Sequence, residues 1–146
     1  MRRLLVSLAM ALTLSAVGAS AALAEAPKGA QKAPLYGPND GFSCFDGGAP
    51  TSTTFGFVVL NTPDNRATLS GEVALKDAVP NVTYEVLVIQ YPSCQGTKAT
   101  LTTNKQGNGS LQFTTERRPL NTKFFVDVFR PFPFLEEFNS PAVELD

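Results

Sequence analysis

Apolar and polar residues alternate with a period of two along most of the chain beyond Phe42. In an extended backbone, this period puts apolar side chains on one face and polar side chains on the other. The alternating or continuously apolar runs cover residues 53–60, 67–75, 82–91, 99–103, 111–115 and 124–129. The pattern predicts about six or seven short β-strands and no amphipathic helix of ordinary length.

Turn-forming residues separate these runs. Asn, Asp, Gly and Pro are concentrated in residues 61–65, 77–81 and 104–109. Residues 104–109 (NKQGNG) predict a hairpin loop, because Asn and Gly accept positive φ angles. Residues 82–91 are apolar on both faces, which indicates a central strand. Turns at this spacing are typical of an all-β domain, and we expect a single antiparallel β-sandwich of about seven strands over residues 42–146.

The N-terminal residues follow another pattern. Arg2 and Arg3 precede an apolar run that ends on a small-x-small triplet at residues 22–24. A basic start, an apolar centre and such an end predict a signal peptide, residues 1–24, cleaved after Ala24. The run is nearly long enough for a retained membrane anchor, but three serines, one threonine and one glycine dilute it. We therefore expect a secreted, extracellular protein, and the signal has the style of a bacterial one.

Residues 25–41 (EAPKGAQKAPLYGPNDG) have no hydrophobic period, so they predict a flexible leader before the folded domain. The whole sequence has a net charge of −1, and loss of Arg2 and Arg3 with the signal makes the mature chain more acidic. A chain without a basic cluster lacks the electrostatic footprint of a nucleic-acid-binding protein. No second apolar run reaches the length of a membrane span. The expected partner is therefore an extracellular protein or a component of the cell envelope.

Two cysteines, Cys44 and Cys94, remain after the signal. In an oxidising compartment, an even pair predicts a disulfide bond. The alternatives are a metal site and a catalytic thiol. Two cysteines in a chain without histidine do not complete an ordinary zinc site, and a thiol nucleophile would lack its imidazole base. We expect the Cys44–Cys94 disulfide to close a loop of about 50 residues, which is worth on the order of 4 kcal/mol.

The sequence does not support catalysis or a bound cofactor. It contains no histidine, no S-x-x-K spacing and no G-x-S-x-G motif. Asp40, Asp46 and Asp64 lie in predicted loops, but no 12-residue calcium loop surrounds them, so turn chemistry is favoured over a metal site. The adjacent pair Glu136 and Glu137 is interpreted as solvated charge rather than as the two carboxylates of a glycosidase. We expect no catalytic, cofactor-binding or metal-binding residue.

Three phenylalanines, Phe129, Phe132 and Phe134, stand out near the C-terminus. Phe132 and Phe134 alternate with prolines, and alternate residues of an extended chain face one way. One interpretation is an edge strand that packs these rings into the core. The other is an apolar patch for a protein partner, in which the prolines prevent uncontrolled strand addition. Residues 135–138 leave room for at most one helical turn before Pro141.

Three segments carry a resemblance to known domains: residues 69–75 (LSGEVAL), 79–86 (VPNVTYEV) and 101–110 (LTTNKQGNGS). Each resembles a recurring piece of secreted bacterial immunoglobulin-like domains, and their order is similar to that in CHRD-like and Cu/Zn-superoxide-dismutase-like sandwiches. The resemblance implies an immunoglobulin-like sandwich with a role in interaction or scaffolding, and it implies no site residue. The dismutase activity does not carry over, because its metal site needs histidines. The chain also lacks the tryptophan of the immunoglobulin Cys–Trp–Cys pattern.

These observations predict an exported, non-catalytic binding or structural module of the cell envelope or extracellular space. The alternative is a secreted protease inhibitor or hydrolase that acts through its loops. For an inhibitor, the candidate loop is residues 92–96 (PSCQG), since Cys94 would brace it.

Overall fold

The computed structural model describes residues 29–37, 53–63, 67–131 and 136–145. These residues form nine β-strands and no helix. The strands are β1 (Gln31–Tyr36), β2 (Thr54–Asn61), β3 (Thr68–Leu75), β4 (Thr83–Tyr91), β5 (Gln95–Thr102), β6 (Gly109–Glu116), β7 (Lys123–Phe129), β8 (Glu137–Asn139) and β9 (Val143–Glu144). The strands predicted from period-two alternation correspond to β2 through β7. Across the described ranges, no helix is long and apolar enough to cross a membrane.

All neighbouring strands pair antiparallel in one sheet, with the order β5-β4-β7-β8-β1-β2-β3-β6, and β9 pairs with β7. The end strands β5 and β6 come together, since the hydroxyls of Thr97 and Thr115 lie 2.6 Å apart. The sheet is therefore a nearly closed barrel. The all-β, antiparallel prediction is confirmed, and the described strands form one nearly closed sheet rather than a clear two-sheet sandwich of about seven strands. Alternation predicts only which face is buried, and a barrel and a sandwich share that pattern.

The predicted flexible leader, residues 25–41, contains a strand. Its residues Gln31–Tyr36 form β1, which pairs with β2 on one side and with β8 on the other. Ala33 and Leu35 alternate on the buried face of β1. Two apolar positions are too few to produce a clear period in the sequence, so β1 depends on its neighbours in the sheet. The predicted signal peptide, residues 1–24, lies outside the described residues.

The core of the barrel consists of the side chains that face inward at alternating positions along the strands. Phe138 on β8 is 0% exposed, and its ring centroid lies 4.8 Å from that of Phe55 and 5.9 Å from that of Tyr84. Residues 137–139 therefore extend as a strand that delivers Phe138 to the core, and the predicted helical turn does not form there. In the predicted 104–109 hairpin loop, Gly107 adopts a φ of 77°.

Candidate functional site

A polar cleft of about 480 Å³ opens at the mouth of the barrel, where the end strands β5 and β6 meet. Gln90 on β4 lies directly opposite Gln95 on β5, and Val88 lies opposite Thr97. Because Val88 belongs to the core, these positions all face inward. The barrel interior therefore changes from apolar to polar at this end. The cleft is lined by Gln90, Ser93, Gln95, Gly96, Thr97, Thr115, Glu116, Arg118, Pro119 and Asn121.

Hydrogen bonds hold the walls of this barrel-mouth cleft in place. The buried amide of Gln90 donates from Nε2 to the carbonyl of Glu116 at 2.8 Å, and its Oε1 accepts the N–H of Arg118 at 2.9 Å. Gln90 thereby joins β4 to the end of β6, across the place where the end strands β5 and β6 meet. Asn121 donates to Ser93 Oγ at 3.0 Å, which links the β6–β7 turn to the β4–β5 turn. These hydrogen bonds fix the residues that line the cleft, so the cleft is preformed.

The β6–β7 turn beside the cleft is also fixed. Arg117 donates from Nη2 to the carbonyl oxygens of Asn121 at 3.1 Å and of Leu145 at 3.3 Å. Leu120 stands at the tip of this turn with a φ of 71° and is 93% exposed. The turn therefore presents a leucine to solvent from an anchored backbone.

A second group of polar side chains lies on the outer face of β7 and β8. Asp127 is the direct cross-strand partner of Asn139, and Glu137 lies two residues before Asn139 on the same face. Asp127 is 5% exposed, Asn139 is 0% exposed and Glu137 is half-buried. Asn139 Nδ2 donates to Glu137 Oε1 at 3.2 Å. We call Asp127, Glu137 and Asn139 the carboxylate cluster.

Burial raises the pKa of Asp127 to about 8, with further contributions from the negative charge of Glu137 and a hydrogen bond to it. The raised pKa keeps a proton on Asp127, which can donate it toward Glu137, whereas an ionised carboxylate has no proton to donate. Asp127 Oδ1 and Asn139 Oδ1 have no hydrogen-bond partner although both are buried. The carboxylate cluster is therefore the place among the described residues where polar atoms are buried without compensation.

The neighbouring residue Glu136 has a structural role. Tyr84 donates its hydroxyl proton to Glu136 Oε2 at 2.6 Å and accepts the N–H of Val79 at 3.2 Å. Arg130 Nη1 lies 3.9 Å from Glu136 Oε2. Burial raises the pKa of Tyr84 far above its usual value, and Glu136 adds to this effect. Glu136 and Glu137 are thus partly buried and bonded, so their interpretation as solvated charge is wrong.

The residues singled out in the sequence are only partly described. Cys94 lies in the β4–β5 turn with a φ of 52°, and Cys44 lies outside the described residues, so their pairing stays a prediction. Phe129 is half-buried on the outer face of β7, in register with Glu85 and Glu137. The other predicted patch and loop residues also lie outside the described ranges; these are Phe132, Phe134, Asp40, Asp46 and Asp64.

Sequence reasoning missed the two side chains that organise these sites, Gln90 and Asp127. Each interrupts a run of apolar residues, since Gln90 lies within the run 82–91 and Asp127 lies within 124–129. A polar residue inside such a run must be buried or must change the face of the strand, so this was the available signal. The residues that contact Gln90 and Asp127 could not be predicted, because they come from segments far away in the chain.

No protein-family model, curated protein or solved structure matches this chain. The architecture defines the class of this protein: an all-β, antiparallel, barrel-like domain with a polar cleft at its mouth.

Proposed function

We propose that this chain is an exported, non-catalytic binding module that holds a small polar ligand in the barrel-mouth cleft. The observation that carries this proposal is the preformed cleft of about 480 Å³. Small-molecule sites commonly have volumes of this order, and barrel mouths are among their usual locations.

The lining of the cleft indicates the class of ligand. Residues with hydroxyl and amide groups predominate, including Thr97, Thr115 and Gln95, and the charged residues of the lining are Arg118 and Glu116. One cation and one anion give the wall no net charge. A ligand that forms several hydrogen bonds and is uncharged or zwitterionic matches this wall better than a strongly charged one.

The same groups support a binding role rather than catalysis. Thr97 and Thr115 bond to each other through their hydroxyls, and Ser93 Oγ donates to the carbonyl of Gln90 at 2.9 Å. These hydroxyls are engaged with neutral groups, whereas a nucleophile needs an adjacent base. An arginine side chain has no acceptor atom and does not serve as a general base, and the chain contains no histidine.

The test is a titration of isotopically labelled protein with free amino acids and with mono- and disaccharides, followed by amide NMR spectra. We expect saturable shifts in residues 93–97 and 115–121 for at least one of these probes, because those segments surround the cleft. The variant Gln95→Arg places a long side chain at the mouth. It should weaken binding by at least about tenfold without loss of the fold, since Gln95 is exposed.

Thr100→Arg is the matched control. Thr100 is also exposed on β5, but it lies opposite Glu85 on the outer face of the barrel. This variant should bind as the unmodified protein does. Shifts confined to another part of the chain, equal loss in both variants, or chemical turnover of the probe would contradict the proposed function.

The second candidate function is protease inhibition through residues 92–96. This loop is exposed throughout, and its backbone is fixed because Cys94 donates its N–H to the carbonyl of Gln90 at 2.9 Å. An exposed segment held in one conformation is what a substrate-like inhibitor presents. Stoichiometric inhibition of a secreted protease, together with no shifts in the ligand titration, would favour this function over the first.

Export and the Cys44–Cys94 disulfide belong to the same proposal. We expect the intact mass of the protein recovered from culture medium to correspond to a chain that starts at Glu25. Two alkylations should be added only after reduction, since both cysteines are predicted to be paired. A retained N-terminal segment, or alkylation of the unreduced protein, would argue against export or against the disulfide, respectively.

A further inference from the structure

The carboxylate cluster brings three oxygen-bearing side chains to one point on the outer face of the barrel. Asp127 and Asn139 face each other across β7 and β8, and Glu137 is on the same side of β8. Side chains at directly opposed positions have Cβ atoms about 4.5–5.5 Å apart, so their terminal oxygens can reach one common ligand. This cluster is separate from the barrel-mouth cleft, because none of its residues lines that cleft.

Two of these oxygens are buried without a partner. Asp127 Oδ1 and Asn139 Oδ1 accept no hydrogen bond, and their residues are 5% and 0% exposed. Buried polar atoms in folded proteins are nearly always paired, so an exception indicates an ion, a water molecule or a function.

The amide of Asn139 is oriented by its neighbour. Its Nδ2 donates to Glu137 Oε1 at 3.2 Å, which leaves Oδ1 as the unpaired atom. The reverse orientation would put an amide oxygen against a carboxylate oxygen, where neither atom can donate. The hydrogen bond thus holds the amide with its oxygen available as a ligand.

The ion pairs of the described residues lie away from the carboxylate cluster. Ion pairs within the described ranges join Lys98 to Glu85, Lys123 to Glu144 and Arg130 to Glu136. None of these pairs includes Asp127 or Glu137. A bound cation would neutralise the negative charge of ionised carboxylates in the cluster, as a lysine or arginine side chain does for a buried carboxylate elsewhere in proteins.

We propose that Asp127, Glu137 and Asn139 form a calcium-binding site on the outer face of β7 and β8. Two carboxylates and an amide oxygen are hard ligands, which Ca²⁺ prefers and which Zn²⁺ and Cu²⁺ do not favour over nitrogen and sulfur. Ca²⁺ binds oxygens at about 2.3–2.6 Å in flexible geometry. Mg²⁺ requires nearly ideal octahedral geometry and keeps several waters, which suits a buried cluster less well.

The test is isothermal titration calorimetry of the metal-free protein with CaCl₂ and, separately, with MgCl₂. We expect one saturable Ca²⁺ site with a Kd of about 10⁻⁴ M, in the range of extracellular calcium modules, and weaker binding of Mg²⁺. Asp127→Asn and Glu137→Gln each replace a carboxyl group, which can bind Ca²⁺ as an ionised ligand, by an amide of the same shape. Each should weaken Ca²⁺ binding by about tenfold or more.

Glu72→Gln provides the matched control. Glu72 is a half-buried carboxylate on the outer face of β3, in register with Val59 and Gln112 and away from β7 and β8. Its Ca²⁺ affinity should stay within about twofold of the unmodified protein. No saturable binding at millimolar Ca²⁺, or unchanged binding in Asp127→Asn, would overturn the proposal. Circular dichroism of each variant distinguishes a lost site from a lost fold.

Tyr36 allows a spectroscopic test of location. It is the cross-strand partner of Asn139 on β1, so its ring lies on the same face of the sheet beside the proposed site. Tb³⁺ replaces Ca²⁺ at oxygen sites and emits when a nearby tyrosine transfers excitation energy to it. Bound Tb³⁺ should emit strongly with the unmodified protein, and Ca²⁺ should displace it. Tyr36→Phe should lose most of this emission while its Ca²⁺ affinity is retained; equal emission would contradict the assigned location.

Discussion

In a buffer that chelates divalent cations, Asp127→Asn is expected to be more stable than the unmodified protein at pH 8 and to lose this advantage near pH 4. The folded state raises the pKa of Asp127 from 3.8 to about 8, so it holds the proton that the unfolded chain releases. The stability from this proton is fully present below pH 3.8 and is lost as the pH rises to about 8. The loss is on the order of 5 kcal/mol at most.

Urea unfolding at intervals between pH 4 and pH 9 measures this effect, because the asparagine keeps the shape of Asp127 and does not titrate. The difference in unfolding free energy between the variant and the unmodified protein should grow with pH. The carboxyl groups that face Asp127 are those of Glu137, beside it on β8, and Glu85, diagonally across on β4 and ion-paired with Lys98; both are unchanged in the two proteins compared. A difference that is the same at pH 4 and pH 8 would show that Asp127 ionises normally. Glu72→Gln should show no such trend.

Phe138→Ala is expected to lower the free energy of unfolding by about 3–5 kcal/mol. The ring is fully buried and packs against Phe55 and Tyr84. Gly37, whose absent Cβ would lie 2.5 Å from Phe138 Cδ1, has no side chain to fill the space that the ring leaves. The cavity should therefore remain largely open.

Denaturant unfolding at fixed pH measures this loss, with Phe57→Ala as the matched control. Phe57 lies half-buried on the outer face of β2, with Lys32 Nζ 3.9 Å from its ring centroid. Its truncation removes the same atoms from a partly wet site, so the loss should be clearly smaller. Equal losses in the two variants would contradict the central position of Phe138. If Phe138→Ala does not fold, Phe138→Leu should still be less stable than the unmodified protein.

The sequence predicted those parts of the barrel whose signal is local. Period-two alternation located β2 to β7, because each of these strands has enough apolar positions on one face to show the period. The loop at 104–109 was predicted from its glycines and asparagines, and Gly107 does adopt a positive φ. The central position of β4 followed from its two apolar faces, and β4 lies between β5 and β7.

Only the tertiary structure decided how these strands close and which sites result. The short strands β1 and β8 exist because the sheet supplies partners for them, and their pairing joins residue 36 to residue 139. Closure brings β5 to β6 and so creates the polar mouth around Gln90. Pairing of β7 with β8 buries Asp127 beside Asn139. Both sites depend on contacts between distant segments. Alternation along the sequence specifies the face on which each residue lies, but it contains no information about which strand will lie beside it.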